Sequence, residues 1–260
     1  MEGIRTISVI GAGRVAQHLV PALFRAGMTI RAIGVRDPEK PSAIRLSEMV
    51  EAPLVAPQAI PDADLILLLV VDGSIESVSH QLREYEGIIA HVSGGMPLSI
   101  LADKDPKRGV FYPLQTFSEG VGVNWKSIPI FIEGSDPDTQ MKLHQLAQRL
   151  STRVYDANSD QRKALHVAAV FANNFVNQLY VEAWTICREN DIPFEALQAL
   201  IQQTADKIRD LDPLEAQTGP AVRGDKGLIA EHLQWLKDPQ QKKIYTLLSE
   251  RIQAIHEKEL

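Results

Sequence analysis

The sequence predicts an α/β fold in two parts, a parallel sheet layered with helices over residues 1–157 and an all-helical part over residues 158–260. Three observations predict it. Short apolar runs recur through the first half with enough chain between them for crossover helices. The first of these runs passes through a glycine-rich turn into a helical stretch. Beyond Asp160 the grammar changes, and Asp160–Asn190 contains neither Gly nor Pro.

In chain order, the candidate strands are Ile7–Ile10, Ile30–Val35, Leu65–Val71, Ile88–Val92, Val110–Phe111 and Ile128–Ile132. Leu65–Val71 is apolar at every position, the pattern of a strand covered on both faces in a parallel sheet. Asp160–Asn190 is apolar around most of its circumference, so a helix there must be buried in its own domain or against a second subunit. Pro193–Asp210, Asp225–Lys237 and Pro239–Glu257 read as further helices, the last with proline in its first turn. The boundary falls near Asn158, within the polar capping run Asp156–Asp160.

Composition narrows the function classes. A chain of 260 residues suits one large or two moderate domains. With 45% hydrophobic and 23% charged residues, disorder as the main state is excluded. Cys187 is the single cysteine, which excludes an internal disulfide. The longest apolar run, Leu65–Val71, is too short to cross a bilayer. Residues 1–5 lead into a strand without a signal-peptide core, so a cytoplasmic protein with no membrane partner is expected. A net charge of -6 disfavours a nucleic-acid surface. The seven histidines lack metal-ligand spacing, and no metal site is expected.

Each small residue of Gly11-Ala-Gly-Arg-Val-Ala16 has a mechanical reason. Gly11 permits a tight turn, Gly13 lets backbone approach a diphosphate, and Ala16 lets helix pack on strand. The helix that follows offers unpaired N–H groups to the phosphates. Gly11, Ala12, Gly13, Arg14 and Val15 are therefore the candidate dinucleotide turn of a Rossmann-type domain. At the end of the next strand, Arg36 stands where NAD-specific folds carry an acid, and its fork of donors suits a 2′-phosphate. Asp37 is the alternative, an NAD-type acid if the strand ends one residue later. NADP is favoured over NAD.

Ligands of such sheets lie beyond the carboxyl ends of the strands. Val71 and Asp72 at the end of the third run, and Ser93 and Gly94 after the fourth, would lie along the cofactor, with small residues leaving room for a nicotinamide. Tyr112 and Gln115, in Tyr112–Phe117, would wall a substrate pocket. In the helical part, Lys163, His166, Asn173 and Asn177 fall on one face at about 100° per residue, with Asn174 at its border. A polar stripe on a buried helix is costly unless it is paired or faces a cleft. Its functional reading makes Lys163 or His166 the proton donor, since imidazole titrates near neutrality. Asn173 and Asn174 would then orient substrate, and Arg223 in Thr218–Asp225 would bind its carboxylate or phosphate. The sequence thus points to an NADP-dependent oxidoreductase moving hydride to or from a small carbonyl or imine compound. The alternative is a non-catalytic dinucleotide sensor.

Gly11–Ala16, Tyr112-Pro-Leu-Gln-Thr-Phe117, His166–Phe175 and Thr218–Asp225 together carry a resemblance. The whole chain resembles a family of NADP oxidoreductases that joins a Rossmann-like domain to a C-terminal helical domain of unknown function. More distantly it is similar to pyrroline-5-carboxylate reductase, ketopantoate reductase and deazaflavin-dependent NADP reductase. The resemblance implies the two-part plan, the cofactor class and a homodimer formed through helices. Relatives usually have histidine where this chain has Tyr112. The Lys-plus-Asn pair of β-hydroxyacid dehydrogenases is not reproduced, because Val167 stands four residues after Lys163.

Overall fold

The computed structural model describes residues 3–102 and 107–257. Its first elements are β1 (Thr6–Ile10), α1 (Arg14–Arg25), β2 (Thr29–Gly34), α2 (Pro41–Val50), β3 (Leu54–Val55), β4 (Leu65–Leu68) and α3 (Asp72–Gln81). There follow β5 (Ile88–His91), β6 (Lys107–Pro113), β7 (Ile130–Gly134), α4 (Pro137–Leu150) and β8 (Val154–Asp156). The strands form one sheet in the order β3-β2-β1-β4-β5-β6-β7-β8. The order reverses between β1 and β4, which opens a crevice at their carboxyl ends.

The α/β expectation holds, with one correction. The sheet is not wholly parallel: β7 pairs antiparallel with β6, and β8 runs parallel to β7. Apolar runs locate strands but carry no sign of direction, so the reversal left no mark in the pattern. The two-residue β3 and the half-exposed β8 lacked apolar runs to announce them. The Leu65–Val71 run ends early as a strand, since Leu65–Leu69 is buried whereas Val71 is 72% exposed.

Alternation along the strands sorts two cores. Ile7, Val9, Leu65, Leu67, Phe111 and Ile132 face α1, α2 and α4. Ile10, Ile66, Leu68 and Ile89 face the opposite layer, which includes α3. At its opening end β1 is tied to β4 by a carboxylate: Asp64 Oδ2 accepts from the Arg5 N–H (2.9 Å), the Thr6 N–H (2.8 Å) and the Thr6 hydroxyl (2.9 Å). Burial alone would raise the Asp64 pKa, but these hydrogen bonds outweigh it and hold the group below the usual carboxylate range.

The helical part begins with α5 (Ser159–Ala169), continues through a π-helical segment at Val170–Phe175, and runs on as α6 (Val176–Glu189). Asn158 starts it with a capping box: its side chain accepts from the Gln161 amide while Gln161 reaches back to the Asn158 amide. Then come α7 (Gln198–Lys207), α8 (Lys226–Trp235) and α9 (Pro239–His256), with Asp225 and Asp238 capping the last two. The chain divides into compact units at Met1–Asn174 and Phe175–Leu260. This division lies beyond Asn158 because the buried Arg162 binds α5 into the sheet unit.

In the second unit, His232 Nδ1 and the Tyr245 hydroxyl are 2.7 Å apart, and the Gln241 amide donates to Glu182. Among the described residues its buried apolar side chains are Cys187, Ala221 and Leu236, while Leu200, Trp235 and Leu247 are exposed. No helix among the described residues is long and apolar enough to cross a membrane.

The burial limits give a direct test. Leu67→Ala, at a fully buried strand position, is expected to cost about 2–5 kcal/mol. Val71→Ala should stay within about 0.5 kcal/mol of the parent. Urea unfolding measures both, and equal losses would mean that the covered strand extends to Val71.

Candidate functional site

The glycine turn closes on one side and opens on the other. Gly11 has φ +114°, in the region that favours glycine, and a Cβ there would collide with the Leu69 carbonyl after β4. Its N–H donates to the Gly34 carbonyl (2.9 Å), while the Leu69 N–H donates to the Ile10 carbonyl (2.8 Å). The turn is thereby clamped between β2 and β4. At Gly13, by contrast, a Cβ would meet nothing within 4 Å. Gly13 caps α1 with no side-chain hydrogen bond, and the first turn contains no acid. An uncapped helix N-terminus beside an open glycine fits a diphosphate in charge and in room. Arg14 is exposed at the first helical position, Ala12 and Val15 pack against the core, and Arg36 is exposed two residues beyond β2. Val71 caps α3, whose first residue is Asp72.

One strand further along the sheet, the loop after β5 carries the second half of the site. The Ser93 N–H donates to His91 Nδ1 (3.1 Å), and Ser93 Oγ accepts from the Gly95 and Met96 amides, both at 3.2 Å. Tyr112 lies with its ring against Gly94, where a Cβ would collide with the phenol. The Tyr112 hydroxyl is 3.3 Å from His166 Nδ1, and the two rings meet edge to face. His166 Cδ2 would lie 3.6 Å from a Cβ on Gly95. A phenol and an imidazole thus meet above a glycine pair. Burial raises the Tyr112 pKa above its ordinary value, and the Arg162 guanidinium opposes that rise.

Beneath this pair lies a charge that the sequence reading did not single out. Arg162 is fully buried. Its Nη2 donates to Glu133 Oε2 (2.6 Å) and Ser159 Oγ (3.2 Å), and its Nη1 to the carbonyls of Ser93 (3.0 Å) and Met96 (2.7 Å). Sheet register explains why Glu133 is there. Leu68 pairs with His91, His91 with Val110 and Val110 with Glu133, so these side chains share one face. The signal available in the sequence was the spacing Ser159, Arg162, His166, which lies along one side of a helix.

Residues 6–90 match the family described as NADP oxidoreductase, coenzyme F420-dependent, and residues 128–252 match a domain of unknown function, DUF2520. The chain is similar to a putative NADP oxidoreductase from Bacteroides fragilis at 38% identity, over 96% of this chain and 98% of that one, with a TM-score of 0.89. The chain belongs to the NADP oxidoreductase family. Its fold is also that of pyrroline-5-carboxylate reductase from Coxiella burnetii (13% identity, 98% and 94% of the two chains, TM-score 0.61). An imine reductase variant from Myxococcus stipitatus, in complex with NAD+, is similar at 18% identity over 92% and 80% of the two chains, with a TM-score of 0.52. No curated protein matches.

Within this member of the family the candidate residues fall into distinct places. Gly11–Val15 adjoin the end of β4, and Val71 and Asp72 follow that strand. Ser93, Gly94, Tyr112 and His166 come together in the second cluster. Two expectations change there. The space over Gly94 is filled by the Tyr112 ring rather than kept for a nicotinamide, and Ser93 Oγ is occupied in holding the loop. Gln115 is exposed, with its side chain accepting from the Thr116 amide. Lys163 is exposed on α5, and Arg223 is exposed in the second unit. Asn173 and Asn174 are exposed within the π-helical segment. A π turn advances each residue by less than an α turn, so the 100° step that aligned Asn173 and Asn177 with His166 does not hold across Val170–Phe175.

His91 provides a pH test of the buried layer. Burial first, and then the Arg162 charge, lower its pKa from 6.5 to about 4, against an opposing contribution from the Pro97 carbonyl. The unfolded chain therefore takes up a proton on falling below pH 6.5 while the folded chain does not until about pH 4. The stability that neutral His91 contributes is complete above pH 6.5 and is lost on acidification, to a total of about 3 kcal/mol. Urea midpoints of the parent should fall more steeply between pH 6.5 and 4 than those of His91→Asn. Parallel slopes would remove His91 as the cause.

Proposed function

We propose that this protein is an NADP-dependent reductase of small carbonyl or imine compounds, with His166 as proton donor and Tyr112 as the group that holds its ring. The single observation that carries the reading is the Tyr112–His166 contact above Gly94 and Gly95, at the carboxyl edge of the sheet that also bears the phosphate-type turn. When bound, the nicotinamide supplies the hydride. Gly11, Gly13 and the first N–H groups of α1 would hold the diphosphate, with Arg14 adding charge. Arg36 would take the 2′-phosphate. Asp37, the acid an NAD-type site would use, instead accepts from the Glu39 amide within its own turn (3.1 Å), which supports NADP over NAD.

In the reductive direction, hydride adds to the substrate carbon and the C=O or C=N electron pair moves to the heteroatom. The proton that neutralises it comes from His166 Nε2, because Nδ1 is engaged by the Tyr112 hydroxyl. Lys163 is the second candidate donor on the same helix. Asn173 and Asn174 complete the candidate set for orienting substrate.

The active form in this reading is a cytoplasmic homodimer, in which residues 158–260 serve substrate and dimer. Its support is the helical unit itself, with so few buried apolar side chains and with Leu200, Trp235 and Leu247 exposed. A unit of that composition gains a core from a second copy of the chain.

Calorimetry should detect NADPH binding to the purified protein, tighter than NADH. Arg36→Asp should weaken NADPH by about 10- to 100-fold while changing NADH little, in line with loss of charge-assisted hydrogen bonds. Equal affinities of the parent for both nucleotides would overturn the cofactor assignment. In a carbonyl and imine screen followed by nicotinamide absorbance, His166→Ala should lower kcat by about 10²- to 10⁴-fold and leave the Kd for NADPH in place. Unchanged turnover would exclude His166, and tight NADPH binding with no turnover across the screen would favour the sensor.

A further inference from the structure

We propose that Arg162 is the positioning residue of this site: its guanidinium, balanced by Glu133 and fastened to the Ser93 and Met96 carbonyls, sets the glycine loop on which Tyr112 and His166 meet. The proposal rests on the reductase reading for what the pair does, but on geometry alone for what Arg162 holds.

All four Nη protons of Arg162 are used, and they go to three different segments. Two reach the loop after β5, one reaches β7 at Glu133, and one reaches the start of α5 at Ser159. The same Ser159 hydroxyl accepts from the Leu98 amide just beyond the loop (3.0 Å), and the Ser159 N–H donates to Glu133 Oε1 (3.1 Å). The carboxylate, the hydroxyl and the guanidinium therefore form one network around the loop. A lysine could match the charge but not the fork, since an ammonium is a point charge on a flexible stem.

Stability alone is a weak reason for such a group. Burying an ion pair costs desolvation that apolar side chains of the same volume avoid. What the pair supplies instead is placement. His166 stands one helical turn beyond Arg162, so the anchor that seats α5 also fixes where the imidazole reaches the Gly95 backbone. Gly94 is held directly beneath the Tyr112 ring by carbonyl bonds at Ser93 and Met96, the residues that bracket the Gly94–Gly95 pair.

Tyr112 reports on this placement. The groups around it are Arg162 and His166 from α5, Phe131 from β7, and Gly94 of the loop after β5. Glu133 on β7 faces Arg162 directly. Burial raises the phenol's pKa and the guanidinium opposes it. Removing the cation while the fold persists must move the phenol further up. Loosening the fold would do the opposite, by exposing the ring and returning it toward the ordinary value of 10.

The test is an alkaline pH jump on the full chain, with tyrosinate absorbance read before unfolding and the Tyr112→Phe signal subtracted to isolate Tyr112. In Arg162→Gln, Tyr112 should ionise at a higher pH than in the parent. Arg162→Lys should restore most of that shift yet leave kcat about 10- to 100-fold down with the NADPH Kd retained, because the loop carbonyls lose their fork. Glu133→Gln leaves the cation unbalanced and should move Tyr112 downward, so it decides the matter if Arg162→Gln does not fold. A downward or absent shift in folded Arg162→Gln, or an upward one in Glu133→Gln, overturns the proposal. The jump needs neither cofactor nor substrate, so failure of the reductase reading would show in calorimetry and turnover while this titration still reported on Arg162.

Discussion

A guanidinium removed from water, held against a carboxylate on β7 and two carbonyls of the loop after β5, is the constraint on which the second half of the site depends. The interaction is strong because all four Nη protons are met, while the buried Nε–H has no partner among the described residues. Remove one and a charge is left in a medium that cannot solvate it. This all-or-nothing quality ties together segments far apart in sequence, since Ser93, Glu133, Ser159 and Arg162 come from a loop, a strand and a helix.

The reversed strand makes that assembly possible. Because β7 runs opposite to β6, Glu133 near its end lies in register with Val110 and, through it, with His91. β8 runs alongside β7 and reaches Asp156 level with Ile132, so the short link at Ala157 and Asn158 delivers the start of α5 beside Glu133. From there a single turn carries the helix from Arg162 to His166 at the glycine loop. Had β7 continued the parallel order, a longer crossover would have been needed to bring the same residues together.

Much of this was legible in the sequence, and the limits have physical causes. The turn at Gly11 and Gly13, the Asn158 cap and the central strands follow from local chemistry: a left-handed φ, an orphaned amide, a run of aliphatic side chains. His166 stood out as an imidazole on an apolar helix. Arg162 did not, since an arginine near a helix start reads as solvated unless the facing carboxylate is known. Glu133 in turn sits just past an apolar run whose direction no local pattern encodes. The π-helical turn defeated the projection of Asn173 and Asn177 for a similar reason, because helical periodicity is an assumption about hydrogen bonding that the residues Val170–Phe175 do not obey.

The Asp64 carboxylate has a consequence at the opposite rim of the sheet. It grips the first residue of β1 through both amide and hydroxyl, and β1 is only five residues long. A strand so short, pinned at its foot and butted at its head against the Leu69 carbonyl, has no freedom to slip past its neighbour. The height at which the Gly11–Gly13 turn presents its amides is therefore decided at the opposite end of the strand, by an aspartate that never touches the turn.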